Sequence, residues 1–96
     1  MDVIQMQKSP IYLKAITLRK NSDISTVKDE AKKGMILILR ITPLAQKDVE
    51  ELRKTIDELY NYAQSTGGDI ARLGEERIVL TPASVKIWRG SHDLKQ

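Results

Sequence analysis

A single histidine, His92, and a complete lack of cysteine limit the chemistry open to this 96-residue chain. Zinc sites draw on clustered Cys and His ligands, and a hydroxyl nucleophile needs a base beside it. His92 stands in a polar C-terminal stretch, where a solvated histidine is the ordinary expectation. The carboxylates Asp48, Glu50 and Glu51 fall where a helix should begin, and capping accounts for them better than an acid–base pair does. Glu75 and Glu76 fall in a turn and read as solvated. Gly67-Gly68-Asp69 follows a helix and precedes a strand, the reverse of the arrangement that aims a helix N-terminus at phosphate. The expectation is a protein that is not an enzyme and holds no metal or cofactor.

Binding is the remaining class. Sixteen Lys and Arg against thirteen Asp and Glu leave a net charge of +3, spread along the chain. Lys32, Lys33 and Arg72 are too scattered for a phosphate groove. The aromatics are few: Tyr12, Tyr60, Tyr62 and Trp88, with no Phe to stack bases on a sheet. No nucleic acid is therefore expected, although a pI near 9.3 makes a nucleic-acid-binding α/β module the alternative. A small-molecule regulatory domain is a third reading. The longest apolar run, Met35 to Leu39, is far short of the ~20 residues a membrane span needs. No signal-peptide pattern opens the chain, and absent cysteine fits a reducing compartment. A small soluble intracellular domain is the expectation.

The elements that must position these residues divide by period. Residues 1–9 and 90–96 are polar and aperiodic, and are expected to be disordered segments flanking a core of 10–89. Ile11–Arg19 reads as a strand. Ser22-Asp23 caps a helix carrying Ile24, Val27 and Ala31, and Gly34 ends it. Met35–Thr42 is apolar on both alternations, as a strand covered on both faces should be, and Pro43 closes it. Asp48 with Glu51 opens a helix whose Val49, Leu52, Ile56, Leu59, Tyr60 and Ala63 share one stripe. Gly67-Gly68 stops that helix. Asp69–Leu73 and Arg77–Thr81 flank a three-residue glycine loop and form a hairpin. After Pro82, Ser84–Arg89 makes a last strand. The order β-α-β-α-β-β-β implies a two-layer α/β sandwich, with two helices on one face of a five-stranded mixed sheet.

That arrangement leaves the second sheet face too apolar for water. Ile36 and Ile38 oppose Leu37, Leu39 and Ile41; Val79 opposes Ile78 and Leu80; Trp88 opposes Val85 and Ile87. A second apolar face usually marks an interface, and its simplest partner is another copy on a two-fold axis. In a monomer, Lys14, Arg40, Arg72 and Lys86 would have to cover it with their stems.

The run Gly67-Gly-Asp-Ile-Ala-Arg-Leu-Gly-Glu-Glu-Arg-Ile-Val-Leu-Thr-Pro82 resembles the C-terminal signature of the SepF family of cell-division proteins. Ile41-Thr-Pro-Leu-Ala45 and Asp48-Val-Glu-Glu-Leu52 resemble its archaeal branch. The resemblance covers about residues 10–89 and implies a non-enzymatic adaptor, cytoplasmic and at the inner membrane face of the division site. Its core forms a homodimer, in some members a higher polymer, and binds the C-terminal peptide of the tubulin-like protein FtsZ. An N-terminal amphipathic helix holds such adaptors on the membrane; Met1–Ser9 is too short for that helix plus the family's flexible linker, and its apolar residues do not form a stripe. Carried onto this chain, the resemblance assigns peptide binding to Arg72, Ile78 and Leu80. It assigns the turn or the dimer contact to Tyr60, Tyr62, Gly67, Gly68 and Asp69.

Overall fold

The computed structural model describes residues 10–90; the expectations for residues 1–9 and for His92 lie outside them. The elements are β1 (Leu13–Thr17), α1 (Ile24–Ala31), β2 (Ile36–Arg40), α2 (Thr42–Lys47), α3 (Val49–Thr66), β3 (Asp69–Leu73) and β4 (Arg77–Thr81). The strands form one mixed sheet in the order β1-β2-β4-β3. β1 runs parallel to β2, while β4 is antiparallel to both β2 and β3.

Two expectations are corrected. The sheet has four strands among the described residues, because Ser84–Arg89 forms no ladder. Thr81 Oγ1 donates to the Val85 carbonyl (2.7 Å), and the Ile87 N–H donates to Asp69 Oδ2 (2.9 Å). The segment is a strap bonded through side chains, and its alternating Val85, Ile87 and Trp88 carry a strand's pattern without its pairing. The α-helices among the described residues number three, since Pro43 stands in the first turn of α2 instead of merely ending β2. Proline's missing N–H costs nothing in a helix's first turn.

Buried apolar strand residues share one parity. Leu37 and Leu39 of β2 oppose Leu80 and Ile78 of β4, and these join Leu18, Ile24, Val27, Leu44, Leu59 and Ala63 in one core. The helix α3 is opened by Asp48, whose carboxylate accepts from the N–H groups of Glu50 and Glu51. Glu51 does not complete the capping box; it accepts from the Asn21 N–H at 2.6 Å. Asn21 Nδ2 also donates to Thr55 Oγ1 and Glu58 Oε1, so the single turn before α1 is stapled to α3. Thr55 is fully buried, and its hydroxyl is satisfied by donating to the Glu51 carbonyl.

The helix ends at Gly67, which is left-handed (φ 79°). Gly68 is needed for a different reason: a Cβ there would lie 2.2 Å from the Thr81 carbonyl oxygen. At Gly34 (φ +86°) a Cβ would meet open space. Urea denaturation should therefore show Gly68→Ala losing more than about 3 kcal/mol, from a backbone clash. Gly34→Ala should lose about 1–2 kcal/mol, from its dihedral alone. Equal losses would contradict the close approach.

Candidate functional site

Three groups of residues stand out: a groove beside α3, the turn at Asp69, and the sheet face turned away from the core. The groove runs between α3 and the outer edge of β3. Val49, Leu52, Arg53, Ile56, Asp57 and Arg72 line a stretch of about 330 Å³. A neighbouring hollow of about 210 Å³ shares Ile56 and Arg72 and adds Tyr60 and Ile70, with Ile78 among its lining. The helix is rolled so that Thr55, Leu59 and Ala63 point to the core. Val49 and Tyr60, at the other margin of the apolar stripe, are left 57% and 52% exposed. Arg53 Nη1 donates to Glu50 Oε2 at 2.9 Å, and Arg72 Nη2 donates to the Glu75 carbonyl at 3.3 Å.

Of the residues assigned from sequence, Arg72 and Tyr60 meet in this groove. Ile78 and Leu80 are each only 1% exposed and belong to the core, and of the two only Ile78 also lines the hollow. Tyr62 sits on a different side of α3, half-buried, with Lys28 Nζ 5.4 Å from its ring centre. The sequence assigns no contact to Val49, Leu52, Arg53, Ile56 or Asp57. The apolar stripe contains three of them, but periodicity marks an apolar side chain without saying whether core or groove receives it.

Gly67, Gly68 and Asp69 do not line the groove; they organise the turn. Asp69 accepts from Arg89 Nη1 (2.8 Å) and Nη2 (3.0 Å), from the Ile87 N–H and from the Ile70 N–H. The Arg89 guanidinium, then the Ile87 N–H, hold its carboxyl well below the usual carboxylate range, against the opposing effect of burial. The same pair raises Arg89 above its ordinary value. Elsewhere Lys14 and Lys33 flank Glu30, each at 3.2 Å, and these two ammonium groups, Lys14 first, lower its carboxyl.

The third group is the sheet's other face. Register places Leu13 and Ala15 of β1, Ile36 and Ile38 of β2, Val79 of β4, and Ala71 and Leu73 of β3 on it. Of the four cations expected to cover it, three are elsewhere. Lys14 pairs with Glu30 of α1, Arg72 borders the groove, and Lys86 donates to the Gly67 carbonyl. Of those four only Arg40 shares the face's parity; it donates to Thr42 Oγ1 and stands opposite Arg77 at one end of the face. Among the described residues no strand carries an aromatic, so the face offers bases nothing to stack on.

Together these features define a small mixed α/β domain with an open apolar sheet face and a helix-edge groove. No cluster of three or more potential metal ligands occurs among the described residues, and no described helix is long and apolar enough to cross a membrane. A family model described as "Cell division protein SepF" matches residues 13–87. The chain therefore belongs to the SepF family of cell-division proteins. It is 33% identical over 67 residues to the cell division protein SepF of Haloferax volcanii, a match covering 70% of this chain and 56% of that protein. It is similar to the solved SepF-like protein from Pyrococcus furiosus (35% identity, TM-score 0.78, 86% of this chain and 100% of that one). The SepF-like protein from Archaeoglobus fulgidus gives 25% identity and TM-score 0.78, over 84% of this chain and 96% of that one.

The Asp69 clamp has a pH signature. Its folded pKa lies below the unfolded ~3.9, so its stabilisation is complete above that value and declines as pH falls through and below it. Thermal melts of wild type and Asp69→Asn should differ most near neutral pH. The gap should narrow steadily below about pH 4. A gap independent of pH would mean that the carboxylate's charge is not what holds the strap.

Proposed function

We propose that this chain is the core of a non-enzymatic cell-division adaptor that forms a homodimer and binds the C-terminal peptide of FtsZ. The observation that carries the peptide half is the groove between α3 and β3. Exposed apolar side chains (Val49, Tyr60) lie beside two guanidinium groups (Arg53, Arg72), in a chain of a cell-division family. A short apolar segment with a carboxylate suits such a groove: apolar contact supplies affinity and charge at the rim supplies orientation. The dimer half is supported by the open sheet face, from which three of its four expected covering cations are drawn away. The adaptor would work in the cytoplasm at the inner membrane face of the division site. Its membrane link is assigned to an amphipathic N-terminal helix of the kind the family resemblance implies. Whether dimers assemble further depends on surfaces beyond these two.

A peptide copying the FtsZ C-terminus should bind with micromolar affinity, about −7 to −8 kcal/mol, as befits a segment that must order on binding. Val49→Asp, at an exposed position, should weaken titration calorimetry binding at least about tenfold with the circular dichroism spectrum unchanged. Ile78→Lys should instead unfold the domain, because it buries an unpaired charge in the core. No heat and no competition at about a hundred micromolar peptide, with folded protein, would sink the peptide reading.

The dimer has its own test. Light scattering behind a sizing column should give about twice 10.9 kDa. Val79→Lys, on the open face, should return the mass to that of one chain. A wild-type monomer at every concentration would refute the dimer while leaving the groove intact.

A further inference from the structure

The backbone of Arg72 faces the groove with both of its polar groups unengaged among the described residues. Alternate residues of an antiparallel pair bond across it, and those between them direct N–H and C=O to the other side. Ile70 belongs to the second set: its N–H donates to Asp69 Oδ1 (2.9 Å) and its carbonyl accepts from Arg89 Nη2 (2.7 Å). Arg72 is two residues on and shares that direction, opposite Ile78. The β4 side agrees. The Ile41 N–H donates to the Glu76 carbonyl, and the period of two then turns Ile78 toward β2 and away from β3. Arg72 therefore presents its N–H and C=O from the free edge of the sheet, along the groove lined by Ile56, Tyr60 and Ile70.

We propose that the groove captures its ligand by strand addition. An extended peptide lies against β3 and makes one backbone bond to the Arg72 N–H and one from its own N–H to the Arg72 carbonyl. Its alternate side chains enter between Ile56, Tyr60 and Ile70. Main-chain pairing supplies the docking and the hollow selects apolar side chains. The occupant carries a carboxylate, because the Arg72 guanidinium borders the groove, donates to the Glu75 carbonyl and forms no ion pair among the described residues. Addition is confined to this one residue. The turn at Gly74 ends the edge on one side, and the Asp69–Arg89 clamp occupies the Ile70 groups on the other. The inference rests on the peptide-binding reading above and adds how the peptide is held.

Amide hydrogen exchange on ¹⁵N-labelled wild-type protein, with the FtsZ C-terminal peptide as probe, tests it. The Arg72 N–H should exchange quickly in free protein and slow at least about tenfold at saturation. Ala71 and Leu73, already directed at β4, should be protected before the peptide is added. Calorimetry on Arg72→Ala and Arg72→Pro then separates side chain from backbone. Both lack the guanidinium, but only proline also lacks the N–H, and an edge strand tolerates proline where the N–H faces outward. The proline variant should bind about tenfold more weakly than the alanine variant. If the proline variant fails to fold, the exchange measurement on wild type decides alone. Binding with an unprotected Arg72 amide, or equal affinity of the two folded variants, overturns strand addition and leaves the peptide reading standing. Absence of wild-type binding removes both.

Discussion

The contact of Gly68 with the Thr81 carbonyl fixes the position of nearly everything on the β3 side of the molecule. A Cβ at 68 would lie 2.2 Å from that oxygen, so the chain leaving α3 can press against the end of β4 only as glycine. With Gly67 left-handed, α3 turns into β3 through two glycines alone, and Asp69 arrives opposite Thr81. Two consequences follow from that register. The Asp69 carboxylate reaches the Ile87 N–H and Arg89, which strap residues 82–89 to the domain. Ile70 and Arg72 come to lie beside Ile56 and Tyr60, which creates the groove. A looser turn would dissolve both.

Much of this was legible in the residues because local signals and tertiary packing agree. Asp48 caps α3, Gly67 ends it, Gly74 closes the hairpin, and β2 is apolar on both alternations. The failures have physical causes. Pro43 stops a strand and starts a helix with equal ease, and six residues are too few for a periodic pattern to announce α2. Ser84–Arg89 alternates as a strand would, yet alternation reports which side chains are apolar and says nothing of where the backbone bonds go. Here the Asp69 carboxylate takes the Ile87 N–H that a neighbouring strand would otherwise receive. Trp88, between two residues anchored on Asp69, is 85% exposed as a result.

The groove illustrates a subtler limit. Six residues of α3 share a stripe, and a stripe of that width is enough to cover a core. The helix is rolled toward Thr55, whose polarity keeps it out of any hydrophobic pattern although it is fully buried. Its burial is stable because the hydroxyl bonds to the Glu51 carbonyl and accepts from Asn21, so no polar group is orphaned. Rolling the helix that way lifts Val49 and Tyr60 out of the core. The surface that gives the groove its apolar character thus depends on a buried polar staple some distance from it.

Strand β3 serves two surfaces by its alternation. By register the side chains of Ala71 and Leu73 turn to the open sheet face and those of Ile70 and Arg72 to the groove, although Ala71 also borders the hollow beside Ile70. A one-residue slip of its register would exchange the two sets, and this gives the tight turn at Gly68 a meaning beyond packing. The proposed dimer contact and the proposed peptide contact therefore use opposite sides of the same strand and do not compete for it. Covering one side of an edge strand restrains its motion. A peptide pairing with the other side would then lose less entropy on binding, since part of the ordering is already done.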